Sequence, residues 1–380
     1  MSDPLIRSHR LRRSPFMSAY LPPGASVGVY NRRMYPWSIG DDVQEMYWHL
    51  RRAVMLYDVP ETPLEISGPE ACTFLNYLFT RDISGLRIGR ASYAIACDPS
   101  GGILMDGVLM RLDEDRYWYV MADGPFESWM RAHAMQFDVS IRDPDSWVLQ
   151  VQGPRALDVL AAIVDGAPPS PFNYFGVARC TIQQQPIIVS RTGWTGEMGF
   201  EIYITPDVDG PALWHFILER GAPHELRFGG LDSMGIRRIE AGIYDNGTDL
   251  TPDLTPYAAG LGKFVHLNKE NFIGRESLSN ADRTVRLRGF TCRDAAPLRG
   301  DSIVGSRGAV GVVTSAAWSP VLDCGIGFAK FHEAAGLAAP LAVRSQGAEH
   351  SSELVNLPFF DADKLLPRGI AAGPHEARSP

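Results

Sequence analysis

Three stretches of the chain hold polar residues in settings where they could act on a ligand. In SYAIACDPSGGILMDGVL, residues 92 to 109, a Pro-Ser-Gly-Gly turn separates two extended apolar runs, and Asp106 follows near the start of the second. A carboxylate there either braces the turn after Gly101 and Gly102 or faces a cleft, where it would favour a cationic group and orient a nucleophile. In SRTGWTGEMGFEIYI, residues 190 to 204, a glycine-rich loop carries Trp194 and leads into a strand carrying Glu201. A carboxylate and an aromatic ring so placed either meet a ligand or are a strand carboxylate beside a packed indole. In IRRIEAG, residues 236 to 242, Arg238 suits either an anionic group or an ion-pair network with Glu240.

Both element types are needed to hold these residues. Residues 45 to 55 and 71 to 79 read as helices, the second with Phe74, Leu75, Leu78 and Phe79 on one side. SYAIACD, ILMDGVLMRL and DRYWYVMA read as strands, PFESWMRAHAMQF as a helix, WVLQVQG as a strand and PRALDVLAAIV as a helix. A strand ending in Gly-Pro before a helix occurs twice, in LEISGPEACTFLNYL and LQVQGPRALDVLAAI, which points to related substructures. ARCTIQQQPIIVSRTGWTGEMGFEIYIT reads as paired strands around the glycine-rich loop, followed by helices at GPALWHFILERG and DSMGIRRIEAG. The proline-rich NGTDLTPDLTPYAAG is expected to cross a surface or enter a cleft. After a boundary at SLSNADR, the runs VRLRGF, SIVG, AVGVVTSAA, CGIGFAKF and LAVRS predict a β-rich terminal domain. Residues 1 to 40, with Phe16, Tyr20, Tyr30, Tyr35 and Trp37, read as a lead-in that wraps a domain.

A chain of 380 residues, 45% hydrophobic and 21% charged, has the composition of a soluble globular protein of two or three domains. Its apolar runs break within a few residues at Asp, Arg, Gly or Pro, so no membrane span is expected. A net charge of -8 disfavours a broad nucleic-acid surface, and the cluster Arg7, Arg10, Arg12 and Arg13 reads as a solvated arm. Five dispersed cysteines predict no disulfide framework and a reduced, cytoplasmic setting; with scattered histidines and no Cys-x-x-Cys pair, no metal site is expected. No flavin or nicotinamide cradle stands out. The oligomeric state is open between monomer and homo-oligomer.

The ordered series SGPEACTFLNYL, SYAIACDPSGGILMDGVL, VQGPRALDVL, SRTGWTGEMGFEIYI, IRRIEAG, LTPYAAGLGKFVHLNKENFIGRESL and GAVGVVTSAAWSPVLDCGIGFAKF resembles the glycine-cleavage T-protein superfamily, which includes aminomethyltransferases and folate-dependent demethylases. The resemblance implies a three-part α+β fold. Residues 1–280 would form a folate-binding catalytic region of two interwoven α+β domains, and residues 281–380 a C-terminal antiparallel β-barrel with a tail. It implies tetrahydrofolate as the cofactor and a small methylated substrate as the partner. By the same resemblance Asp106 is the catalytic residue beside the N5 and N10 side of folate, Tyr93 and Tyr174 are walls of the pocket, and Glu201 binds the pterin edge. Trp194 stands where a tyrosine is common, and Arg238 would meet the substrate carboxylate or the folate tail. Lys263 and Arg275 are weaker candidates for the folate glutamate tail. Thr314, Ser315 and Trp318 would cover the channel or form a structural turn. The acidic pair usual after Gly-Gly-Ile is here Met105-Asp106, and GGILMDGVL, YWHLRRAV and SRTGWTGE look closer to the dimethylsulfoniopropionate demethylase branch. The expected activity is transfer of a methyl group from a small sulfonium, ammonium or ether donor to N5 of tetrahydrofolate. The alternatives are a glycine-cleavage-type aminomethyltransferase and a catalytically inactive folate-binding protein.

Overall fold

The computed structural model describes residues 9–370 except 23, 307 and 334–339. Its centre is a pair of facing sheets that the chain builds in turns. Val54–Val59 lies in a six-stranded sheet, and after Pro60 and Glu61 the strand Thr62–Ser67 lies in a five-stranded one. The chain returns between Ser140–Arg142 of the five-stranded sheet and Trp147–Gln152 of the six-stranded sheet. One side chain ties both crossings: Arg33 Nη1 donates to Glu61 O at 3.1 Å and to Ser146 O at 2.6 Å, with its guanidinium 4.2 Å from the Trp147 ring centroid.

The six-stranded sheet runs Val177–Ile182, Gln185–Ser190, Gly199–Ile204, Trp147–Gln152, Val54–Val59, Leu226–Phe228, antiparallel except for the last pair. The five-stranded sheet is antiparallel in the order Arg90–Cys97, Ile103–Asp113, Arg116–Met121, Thr62–Ser67, Ser140–Arg142. Successive side chains of a strand point to opposite faces, so each sheet has an outer and an inner set. Outer Leu56, Leu149, Phe200 and Ile202 pack on the helices Ala156–Ile163 and Gly210–Gly221. Outer Ile66, Ala94, Leu109 and Tyr119 pack on Ala71–Leu78 and Phe126–His133. The inner sets meet each other: Tyr57, Val148 and Tyr203 from one sheet against Met110, Trp118 and Val120 from the other. Burying each such side chain stabilises the fold by about 1.5–3 kcal/mol, which clamps the sheets together at this apolar end.

The two Gly-Pro units have the same local geometry. Gly68 and Gly153 have φ of 129° and 132°, and a Cβ on either would lie 2.5 Å from a main-chain oxygen, Asp138 O or Ala53 O. Glycine is therefore required where each strand turns into its helix.

Past residue 285 the chain closes an antiparallel barrel in the order Leu287–Cys292, Cys324–Phe331, Gly308–Ser319, Ser302–Gly305, Leu341–Ser345, Ala348–Val355. Leu287, Ile326 and Phe328 pack on Ile239, Leu250, Leu254 and Tyr257, which docks the barrel on the core. The α+β architecture with a C-terminal antiparallel barrel is thus the observed one.

Three local expectations need correction. The first helix spans Val43–Arg52 rather than 45 to 55, capped by Asp42, and Met55 already belongs to a strand that is buried on both faces. A sixth barrel strand, Ala348–Val355, joins the five expected; its polar AEHSSELV exposes alternate residues and hides the signal. The basic arm is in part structured: Arg12–Arg13 is a strand of a three-stranded sheet with Arg33–Ser38 and Ser26–Tyr30, and Arg12 pairs with Asp143 and Asp145. Arg7 lies outside the described residues. Among the described residues, no helix is long and apolar enough to cross a membrane.

Candidate active site in the inter-sheet cleft

Strand alternation puts Asp106 on the inner face with Val108 and Met110, and Met105 on the outer face among the helices, 1% exposed. Met105 is therefore part of the core and not of the cleft wall. Tyr93, on the adjacent strand, donates its hydroxyl to Asp106 Oδ2 at 2.8 Å, while Phe264 meets the Tyr93 ring edge-on with centroids 4.8 Å apart. Asp106 Oδ1 is buried and has no hydrogen-bond partner. Burial lifts the Asp106 carboxyl to about 6, against the pull of the Tyr93 hydroxyl and the nearby Asn246 amide, with Asp245 adding to the rise. Asn246 Nδ2 stands close to the carboxyl but makes no hydrogen bond of ordinary geometry.

Glu201 faces the cleft from the opposite sheet, beside Gln150 in register. Its carboxylate accepts from Gln150 Nε2 at 2.9 Å, Ser190 Oγ at 3.1 Å, Thr192 Oγ1 at 2.5 Å and Tyr203 OH at 2.7 Å. Burial raises its pKa against the hydrogen bonds from Thr192, Tyr203 and Ser190. These donors occupy both Glu201 oxygens, and the acceptor left without a partner is Gln150 Oε1.

Arg238 lies 5.2 Å from the Trp194 ring centroid. It donates to Asp249 Oδ2 at 2.6 Å and Ser315 Oγ at 2.8 Å. Thr314 and Ser315 also donate to Asp249 Oδ1, at 2.6 Å and 2.7 Å, so the barrel and the core share one buried carboxylate. The expected network between Arg238 and Glu240 does not form. Arg237 takes that place, three residues from Glu240 on the same helix face at 3.5 Å and 2.8 Å from Glu197. Glu240 also accepts from Tyr47 and Ser319. Thr314, Ser315 and Trp318 sit in a barrel strand rather than a turn.

The other expected residues divide. Tyr174 packs at right angles on Phe175 and, with Gly196, Arg237, Phe360 and Lys364, lines a cavity beneath the segment that follows the barrel. The charges that act on it are those of Arg368, Glu201 and Arg191, which places it toward the Glu201 side. Lys263 lies over the Phe264 ring at 5.1 Å. Arg275 donates to Lys269 O and Leu267 O, both at 3.0 Å, and so fixes a loop instead of presenting its charge to a tail.

Three cleft residues escaped the sequence reading, Glu61, Gln150 and Asn246, and a fourth, Tyr30, was read only as an aromatic of the lead-in. Gln150 had a signal, since Gln150 and Gln152 alternate through an otherwise apolar strand. Glu61 had none, because Pro-Glu-Thr-Pro reads as a solvated turn.

The GCVT N-terminal domain profile matches residues 23–269, and that of the glycine cleavage T-protein C-terminal barrel domain matches residues 286–361. The dimethylsulfoniopropionate demethylase DmdA of Ruegeria pomeroyi is 32% identical over 343 residues, 83% of this chain and 93% of its own length. An aminomethyltransferase of Saccharopolyspora erythraea is 34% identical over 367 residues, 92% and 98% of the two chains. The crystal structure of glycine cleavage system aminomethyltransferase T from Bartonella henselae superposes with a TM-score of 0.81 at 26% identity, covering 92% of this chain and 98% of that one. Similarity does not separate the demethylase branch from the aminomethyltransferases, and the Met105 difference that leaned toward it lies outside the cleft. The paired sheets with their facing carboxylates, the docked barrel and the matches along both parts agree: this chain belongs to the glycine cleavage T-protein family, a family of aminomethyltransferase-type enzymes.

Proposed function

We propose that the chain transfers a one-carbon unit from an aminomethyl donor to tetrahydrofolate, the reaction type named for its aminomethyltransferase relatives. The observation that carries this reading is Asp106, held by Tyr93 through one oxygen, with the other unpartnered and its carboxyl poised at about 6. A reduced pterin has N–H donors along one edge and a flat face. The cleft answers with unpartnered acceptors at Gln150 Oε1 and Asp106 Oδ1 and with the Trp194 ring, so the residues fit the group. Bound there, tetrahydrofolate supplies the nucleophilic nitrogen that accepts the carbon.

Asp106 can hold a proton at Oδ1 and yield it to the departing amine, because a carboxyl near 6 exchanges protons readily at neutral pH. Tyr93 fixes the carboxyl plane, which keeps Oδ1 directed at the reacting groups. Glu201, already clasped by its own donors, holds Gln150 in place against the pterin edge.

A second reading, demethylation of a small sulfonium, ammonium or ether donor with formation of 5-methyltetrahydrofolate, shares this folate side. The acid-rich cleft favours it for cationic donors. Anaerobic incubation with tetrahydrofolate and either an aminomethyl-loaded carrier or a panel of methylated sulfonium, amine and aryl ether compounds separates the two by mass spectrometry. Methylene-tetrahydrofolate with ammonia is the expected product, and methylated folate from the panel alone would establish the second reading. Tight folate binding with no product from either, unaltered by Asp106→Asn, would leave a binding protein without turnover.

A further inference from the structure

The first crossing between the sheets carries a carboxyl that the proposed transfer does not use. Glu61 follows Pro60 where the chain leaves Val54–Val59. Arg33 holds its main-chain oxygen, but its side-chain Oε2 is buried without a hydrogen-bond partner. The charged groups that act on it sit on three elements: Glu201 of Gly199–Ile204, Arg33 of Arg33–Ser38 and, from the outer face, Asp58 of Val54–Val59. Burial and the Glu201 charge raise the Glu61 carboxyl to about 8, more than Arg33 offsets.

Tyr30 ends the outer strand of the amino-terminal sheet in register with Arg33, whose guanidinium holds Glu61 O, and Glu61, Asp245 and Asp106 all act on its phenol. The next residue anchors it: Asn31 Nδ2 donates to Ala122 O at 2.9 Å, and Asn31 N donates to Asp123 Oδ1 at 3.0 Å. An aromatic ring beside two carboxyls that each keep a free oxygen, Glu61 and Asp106, is completed by a cation carrying apolar substituents, whose charge the acids balance and whose methyl groups pack on the ring.

We propose that Glu61 and Tyr30 form the subsite for the positively charged end of the one-carbon donor, an alkylated ammonium, protonated amine or sulfonium group, with Glu61 setting the preference for charge. The inference rests on the one-carbon transfer reading. Glu61, protonated at neutral pH in the absence of the cation, ionises on its arrival, so binding releases a proton to solvent. Covalent bonds in the donor are untouched by this step.

Choline and its uncharged isostere 3,3-dimethylbutan-1-ol test the subsite by titration calorimetry on the full chain at neutral pH, with and without tetrahydrofolate, in two buffers of different ionisation heat. Choline should bind about tenfold or more tighter than the alcohol and release up to about one proton. Glu61→Gln keeps the shape of the protonated acid. It should bring choline within about twofold of the alcohol and abolish the proton release, while tetrahydrofolate binding stays unchanged. Tyr30→Leu should weaken choline more than the alcohol. Equal binding of the two probes by the parent, no binding of either, or an undiminished preference in Glu61→Gln would overturn the proposal. Failure of the parent chain to bind tetrahydrofolate strikes instead at the transfer reading, since the two probes can be compared without it.

Discussion

Asp106 and Glu201 look into the same space from facing sheets, and burial raises the pKa of both, yet their surroundings differ in kind. Glu201 accepts from four protein donors, Gln150 and Ser190 on the adjacent strands, Tyr203 on its own and Thr192 of the glycine-rich loop; Asp106 accepts from Tyr93 and keeps one oxygen free. Glu65, on the same sheet as Asp106, is a third case. Burial pushes it up, but hydrogen bonds from Arg142, Trp118 and Arg116 bring it below the ordinary carboxyl range. A carboxylate whose two oxygens both accept from the protein serves as a clasp, and a free oxygen makes it available to a ligand. On this difference we propose a chemical role for Asp106 and an architectural one for Glu201 and Glu65.

The sharpest test of that division is Asp106→Asn, which keeps the shape and the Tyr93 contact. It should lower kcat by about 100- to 1000-fold while thermal unfolding is unchanged or slightly later. Early unfolding would place Asp106 with the clasps instead. Glu201→Ala should do the reverse, stranding buried donors at a cost of about 3 kcal/mol in urea unfolding. A stability close to that of the parent would remove its role as a clasp.

A smaller effect follows from pH. Asp58 at about 7, Glu61 at about 8 and Asp106 at about 6 all lie above unfolded carboxyls, so the folded chain binds more protons in that window. The stability they confer is full below about pH 4 and is lost as pH rises through those values. A variant carrying Asp58→Asn and Glu61→Gln should therefore gain Tm over the parent progressively from about pH 5 to about pH 8.5, by several degrees. A constant gap across that range would show that these groups titrate normally. The smallest change is expected from Ser315→Ala, about 1 kcal/mol of stability with kcat unaltered, because Thr314 still holds Asp249.

Much of the scaffold could be read from the chain because its signals are local. The turn before Asp106, the Gly-Pro units and the alternating strands each depend on neighbours in sequence. The strand Ala348–Val355 was illegible because its pairing, rather than its composition, makes it a strand. Within the site, Asp106 and Tyr93 were found together and do meet. The partner of Arg238 was not legible, since Asp249, Thr314 and Ser315 reach it only after the barrel docks. Nor could sequence show that Met105 faces away from the cleft and that Glu61 stands beside it; one residue of register decides the first, and a crossing between sheets decides the second.

The Arg33 tie between the two crossings bears on how the molecule comes together. The six-stranded sheet cannot be completed from a contiguous stretch of chain, because the whole five-stranded sheet is inserted after its strand Val54–Val59, and the pin that secures both crossings arrives from the amino-terminal ribbon. Completion of the six-stranded sheet should then be governed by distant contacts and be slow for its length, its amides gaining protection from hydrogen exchange no earlier than those of the contiguous five-stranded sheet.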